Sequence, residues 1–331
     1  MTEPGSARQT SGPGTGSWLA RILRIREFLI TLVIILSGVI MRLVTPYFLT
    51  ASNFLAILIG LVPSGLIVIG ETMVLVGGGL DLSVGAVMAL SGTLAGLFML
   101  SGLGIAFSVL LALVVGGLIG LINGLLITKI HVNALIATLG TMTIARGVAL
   151  VLTEGFTVTN LPGAFSYVGQ GLLLGMPPMV WLMIVVVIIA DIAMRRTTFC
   201  REIYYVGGNE RAALLSGIPV DRVKISTYVI SGLLSALAGI MLASRLMAGT
   251  PTAGNGMELS AIAAAVIGGA SLVGGEGTIL GAALGTFFLA IISNASIILG
   301  VSIYWQGVVT GVILVLTVAA DMFIRQRSSP R

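Results

Sequence analysis

From residue 28 onward the chain is a succession of long apolar runs separated by short polar stretches. Each run is about as long as a helix needs to be to cross a bilayer core, roughly 20 residues. Ten can be drawn, at approximately 28–44, 53–70, 84–101, 103–127, 133–153, 177–195, 225–247, 258–272, 278–299 and 304–324. The third and fourth are parted only by Ser101 and Gly102. The eighth is short, so a re-entrant segment and a total of nine is the alternative. The pattern predicts an all-α polytopic membrane protein of about ten transmembrane helices. Residues 1–20, rich in Gly, Ser, Thr and Pro, are expected to form a disordered cytoplasmic tail, and residues 21–327 a single transmembrane domain.

Composition supports lipid as the main solvent. Apolar residues make up 57% of the 331 positions and charged residues 9%, against about 25% charged in soluble domains. The net charge of +5 does not point to nucleic acid, because the arginines lie between apolar runs rather than in a patch. Placing Arg21, Arg24 and Arg26 in the cytoplasm puts Lys129, Arg195, Arg196, Arg325 and Arg327 on that side too. The stretch 196–224, with Arg201, Arg211, Arg222 and Lys224, follows them, and the arginine-free stretch Glu154–Met176 falls outside. Both termini are then cytoplasmic, as expected of a multi-pass protein.

With one cysteine, Cys200, and one histidine, His131, the chain has no material for a disulfide, a thiolate metal cluster or a serine–histidine relay. Cys200 reads as an inert loop residue and His131 as an interfacial one. The glycine clusters are not followed by Gly-Lys-Ser or Gly-Lys-Thr, so no ATP-binding loop is recognisable. An enzyme active site and a bound cofactor or metal are not expected.

Small residues stripe two runs. Gly116, Gly120 and Gly124 are spaced by four, as are Gly277, Gly281 and Gly285, so each set should line one helix face and admit another backbone. Two other places break the helical pattern while staying apolar. One runs from Val76 to Gly85 and holds Gly77, Gly78, Gly79, Asp81 and Ser83; the other, from Gly268 to Thr278, holds Gly268, Gly269, Gly274 and Gly275. Asp81 or Ser83 can cap a helix beginning near Val84, and Thr278 the next run. Such glycine-broken segments are either moving, substrate-facing parts of a transporter or compact loops at the membrane surface. Glu71, Glu258 and Asp321 are placed at span ends, where snorkelling relieves them. Arg146 falls inside the fifth span and would pair with Glu71 or face a polar cavity; if the span boundary lies elsewhere, it is an end-of-helix residue. Asn123, Asn133, Asn294 and Gln306 are further polar residues near spans, explained equally by a pathway or by packing.

Within 196–224, Gly208-Asn209-Glu210-Arg211-Ala212-Ala213 leads through Leu214 and Leu215 to Gly217-Ile218-Pro219. Helix formers are followed by a glycine stop and a proline, which predicts a short helix on the inner membrane surface. The Glu-x-Ala-Ala-xxx-Gly run, at Glu210, Ala212, Ala213 and Gly217, resembles the coupling motif of ABC importer permeases. The Gly-Gly-x-Asp-Leu-Ser core within Gly70–Leu90 resembles the ribose-type sugar permeases. So do Ala137-Thr138-Leu139-Gly140-Thr141, Arg146-Gly147 and the run from Glu258 to Gly285. The resemblance covers about residues 50–325.

That resemblance implies a bacterial inner-membrane permease subunit with a coupling loop at 196–224. Its implied partners are an ABC ATPase, which would hydrolyse the ATP, a periplasmic sugar-binding protein, and a second permease copy in a homodimer or related heterodimer. The cargo would be a small neutral sugar, moved by alternating access. Branched-chain amino-acid permeases are distant relatives in the same class. A self-sufficient secondary carrier would need clustered mid-membrane carboxylates, and an embedded enzyme a catalytic pair; the sequence displays neither.

Overall fold

The computed structural model describes residues 26–302 and scattered helical positions between 305 and 319. The expectations for residues 1–20, for Gln306 and Asp321, and for much of the tenth span lie outside the described residues. Where described, the fold is helical, with two isolated β-bridges, and seven helices are long and apolar enough to cross a membrane. In chain order these are α1 (Arg26–Val44), α2 (Ala51–Val76), α4 (Ile105–Thr128), α5 (Ala134–Thr153), α7 (Pro178–Arg196), α10 (Val220–Leu246) and α12 (Ile279–Ile298). Two shorter apolar helices are α3 (Val84–Leu100) and α11 (Met257–Ile267). Three small helices complete the set: α6 (Ser166–Gln170), α8 (Thr198–Gly208) and α9 (Glu210–Leu215).

Nine of the ten expected spans thus correspond to helices, with two corrections. The second run does not stop at residue 70. α2 continues to Val76, where the amides of Gly77, Gly78 and Gly79 donate to the carbonyls of Met73, Leu75 and Val74 at 2.9–3.0 Å. Glu71 therefore lies inside the helix and is wholly buried, not at a span end. The eighth run is helical only over Met257–Ile267; residues 268–278 are irregular.

α10 is the central element. More than half of its most apolar stretch is buried, as is that of α2, whereas α1, α4, α5, α7 and α12 leave most of theirs open. Leu43, Ile144, Val151 and Ile189 are among the large apolar side chains left exposed on these outer helices, as lipid contact requires. Backbone contact seats α10 against its neighbours. A Cβ on Gly116 would lie 2.5 Å from the Ala236 Cβ, and one on Gly124 would lie 2.8 Å from the Ile225 Cα; Gly120 abuts the Tyr228 carbonyl. The predicted α4 stripe is thus the seat of α10. A second seat, Gly92 on α3 against Gly239 on α10, was not singled out from the sequence; a Cβ on Gly92 would meet the Gly239 oxygen at 2.7 Å. Of the other stripe, Gly281 and Gly285 face the Gly268 and Ala264 carbonyls, but Gly277 precedes the helix with φ 147°.

Gly116→Ala is expected to destabilise the protein by about 1–3 kcal/mol, the usual cost of overpacking a close contact. Gly140→Ala, with open space around the new methyl, should not. Thermal unfolding in detergent reads the difference; equal midpoints would mean that α4 and α10 are not held by this contact.

Candidate functional site

Charge divides the bundle into two ends. One end carries Lys129, Arg195, Arg196 and the α8–α9 segment. Ion pairs join Lys129 to Asp221 and Lys224 to Glu210, both at 2.6 Å, with Arg195 to Asp191 at 2.7 Å. At this basic end α9 projects as a short helix. Asn209 caps it by accepting from the Ala212 amide at 2.9 Å, Gly217 ends it at φ +83°, and the Ile218 amide returns to the Ala213 carbonyl at 3.1 Å. Pro219 then leads directly into α10. Ala213 is buried while Leu214 and Leu215 are exposed, the latter by 84%. Leu214 and Leu215 thus form an exposed apolar patch at the polar end of the bundle.

Both glycine-broken segments come to this end and meet there. The Gly275 amide donates to the Val76 carbonyl at 2.8 Å. A Cβ on Gly274 would lie 2.9 Å from the Gly78 Cα, and one on Gly275 would lie 2.8 Å from the Gly208 Cα. Gly207, in the last turn of α8, presses on the Val76 carbonyl, and its Cβ would meet the Gly275 nitrogen at 2.8 Å. Three stretches far apart in sequence (76–79, 207–208 and 274–275) therefore touch through bare backbone. Gly78, Gly274 and Gly275 also have φ between +76° and +97°, so side chains there would be strained as well as crowded. Gly268 belongs to the same turn but packs on Gly281 of α12, and the Gly269 amide donates to the Val266 carbonyl at 2.9 Å. Tyr204 of α8 donates its hydroxyl to the Gly277 carbonyl at 2.8 Å, and burial pushes this phenol above its ordinary pKa.

The segment 77–83 does not stay at the surface. It leads inward to Asp81 and Ser83, both buried. Asp81 accepts from the Ser83 amide at 3.0 Å, the Ser83 hydroxyl at 2.6 Å and the Ser231 hydroxyl at 2.8 Å. Ser83 in turn accepts from the Asn123 amide at 3.0 Å, and Asn123 accepts from Thr141 at 2.7 Å. Tyr228 donates to the Leu80 carbonyl at 3.1 Å, and the Asp81 amide donates to Glu71 at 3.3 Å. This network ties α2, α4, α5 and α10 to the broken segment. The expected cap on α3 is not made: neither Asp81 nor Ser83 bonds the first turn by its side chain, because Asp81 holds Ser83. Thr278 does cap α12, accepting from the Gly281 amide at 3.0 Å.

Arg146 does not pair with Glu71. It donates to the carbonyls of Pro251 and Ala253 at 2.8 and 2.7 Å, bonding the irregular stretch before α11. That stretch reaches the interior, since a Cβ on Gly254 would meet the Gly85 oxygen at 2.7 Å at the start of α3. α3 and α11, about 25 and 16 Å long at 1.5 Å per residue, are each shorter than a ~30 Å core. Each is preceded by a non-helical stretch, 77–83 before α3 and 247–256 before α11, and the two helix starts adjoin at Gly85 and Gly254. Asn133 is an ordinary cap on α5, and Asn294 exchanges amide bonds with Asn53 at 2.8 and 3.0 Å. The sequence did not reveal Ser231, Tyr228 or Asn53 as partners. Ser231 and Tyr228 sit in an otherwise ordinary apolar run, three residues apart and hence on one helix face.

Tyr228→Phe removes the bond to the half-buried Leu80 carbonyl, at a cost of about 1 kcal/mol. The expected result is a lower unfolding midpoint with unchanged membrane insertion; an unshifted midpoint would show that this bond does not hold the segment.

The family described as branched-chain amino acid transport system / permease component matches residues 53–318. The chain is 44% identical over 285 residues to the ribose import permease protein RbsC of Bacillus subtilis (strain 168), covering 86% of this chain and 88% of that one. It is 39% identical over 311 residues to the ribose import permease protein RbsC of Escherichia coli (strain K12), covering 93% and 95%. To the L-arabinose ABC transporter permease protein AraH of Azospirillum brasilense it is 35% identical over 298 residues, covering 90% and 88%. No solved structure matches the chain. The chain belongs to the branched-chain amino acid transport system / permease component family.

Proposed function

We propose that this chain is the membrane-spanning permease subunit of an ATP-driven importer of a small sugar. The observation that carries the reading is its identity to ribose and L-arabinose permeases over most of both chains. The permease is not itself the enzyme: ATP is hydrolysed on a partner ATPase, and a substrate-binding protein delivers the sugar. The reading extends to ten spans, a bacterial inner-membrane location with the basic end and both termini in the cytoplasm, a second permease copy, and no cofactor on this chain. Residues 21–327 then act as one permease domain, with 196–224 as its coupling loop.

The geometry supports a division of labour. Gly208, Asn209, Glu210, Arg211, Ala212, Ala213, Gly217, Ile218 and Pro219 form the ATPase-facing element. Gly77, Gly78, Gly79, Gly274 and Gly275 form the joint through which its displacement reaches the interior, with Gly268 and Gly269 continuing the second arm. Asp81, Ser83 and Arg146 hold the two broken spans in register. A push on α9 moves α10 through Pro219 and the Lys224–Glu210 pair, and moves the broken spans through Gly207 and Gly208.

A secondary carrier is the competing class. Its exclusion cannot rest on an absence of buried carboxylates, because Glu71 and Asp81 are adjacent and buried. Asp81 is fully engaged in structural bonds, and the permease relatives favour the ATP-driven reading.

Affinity purification of the tagged chain in mild detergent is the test. An ABC ATPase should co-purify from wild type and be lost on Glu210→Lys, which sets a second cation beside Lys224, or on Gly217→Pro, which cannot adopt φ +83°. A chain that carries sugar after reconstitution alone would overturn the reading. Orientation has its own check. Phe156, 74% exposed on the stretch opposite the basic end, becomes Phe156→Cys in a Cys200→Ala background. An impermeant maleimide should label it from the periplasmic side; labelling only from the cytoplasm would invert the topology.

A further inference from the structure

At the end of the bundle remote from α8 and α9, a cavity of about 640 Å³ lies between α2, α11, α12 and the last turn of α10, with Val309 also on its wall. This size falls within the usual range for small-molecule sites. Arg245 is the one charged residue among the described residues that line it, and no carboxylate is among them. Arg245 is half-buried, and its guanidinium has no hydrogen-bond or ion-pair partner among the described residues; only its backbone carbonyl is engaged, by Gln170. The contrast with Arg146, whose guanidinium is bonded to two carbonyls, is direct. Its five N–H donors, at a cavity with no counter-ion among the described lining residues, are a demand for acceptors.

The other polar groups around the cavity complement that demand. The Ser64 hydroxyl donates to the Leu61 carbonyl and the Ser260 hydroxyl to the Gly256 carbonyl, each at 3.1 Å. Each proton is thereby committed to the serine's own helix, and the oxygen's lone pairs face outward as acceptors. Asn294 exchanges one amide proton with Asn53 and retains a second. The cavity thus offers donors at Arg245 and Asn294 and acceptors at Ser64 and Ser260. A sugar hydroxyl is both donor and acceptor, so a ring carrying several of them meets both kinds at once. No aromatic side chain lines it among the described residues, so it lacks a stacking platform that would retain a sugar strongly.

We propose that this cavity is the entry site for the transported ligand, a neutral polyhydroxylated ring of monosaccharide size, and that Arg245 is its principal donor. The inference rests on the importer reading and names the residues that would first receive the cargo. Arg245 sets affinity by spanning two neighbouring ring oxygens with its planar fork, and Ser64 and Ser260 take the ring's protons.

The test uses the permease purified with its ATPase and binding protein and reconstituted in vesicles, with labelled ribose and L-arabinose as probes. Arg245→Met should raise the KM for uptake about tenfold or more, Arg245→Lys should restore part of it, and the amount of co-purifying ATPase should stay constant. Separately, Ser260→Cys in a Cys200→Ala background should react with an impermeant maleimide, and millimolar pentose should slow that reaction. Arg245→Met transporting at the unaltered KM, or labelling of Ser260→Cys that ignores sugar, would overturn the entry site while leaving the importer standing. Protection by a sugar acid and not by a neutral pentose would overturn the neutral-ligand assignment. An unaltered complex that holds no ATPase and moves no sugar would overturn the importer reading itself, and the entry site with it.

Discussion

Hydrocarbon offers no partner to a backbone amide or carbonyl, so every break in a spanning helix must be satisfied from elsewhere in the protein. That constraint organises this molecule. Its broken stretches are held by long side chains reaching from unbroken helices: Tyr228 to Leu80, Tyr204 to Gly277, and Arg146 to Pro251 and Ala253. Where no side chain arrives, backbone serves backbone, as in the bond from Gly275 to Val76. Asp81 completes the scheme by gathering Ser83 and Ser231 around one carboxylate in the interior. The breaks are thus fixed features with assigned partners.

From this follows a mechanical arrangement. α10 spans the bundle as one continuous helix, seated on α4 and α3 by glycine contacts. α3 and α11 are the two shorter apolar helices, each joined to a non-helical stretch, and their starts meet at Gly85 and Gly254. The α8–α9 segment touches both systems, α10 through Pro219 and the broken spans through Gly207 and Gly208. Packed glycine backbones are close enough that displacement of one is felt by its neighbour, because no flexible side chain lies between them to absorb it.

Much of this was legible in the sequence, and the failures have identifiable causes. Apolar run length located nine helices, and the Gly116–Gly124 spacing anticipated the seat of α10, because both signals are local and periodic. The short helix α9 was visible from Ala212-Ala213 and Gly217-Ile218-Pro219, since caps and stops are local too. The end of α2 was misplaced because Glu71 looks like a boundary; its carboxylate instead faces the Asp81 amide, ten residues on. Arg146 was recognised as misplaced in lipid, but its carbonyl partners lie more than a hundred residues away and have no sequence signature. The meeting of 76–79, 207–208 and 274–275 was equally invisible. Glycine advertises that something comes close, never what.

Gly207→Ala tests the central claim, that the glycine joint carries motion from the coupling helix to the broken spans. Its methyl must displace the Val76 carbonyl and the Gly275 amide while leaving the exposed leucines of α9 untouched. The measurement is the ratio of sugar transported to ATP hydrolysed in reconstituted complex. The account predicts that the ATPase still binds and hydrolyses while transport per ATP falls severalfold. An unchanged ratio would show that force reaches the pathway by another route.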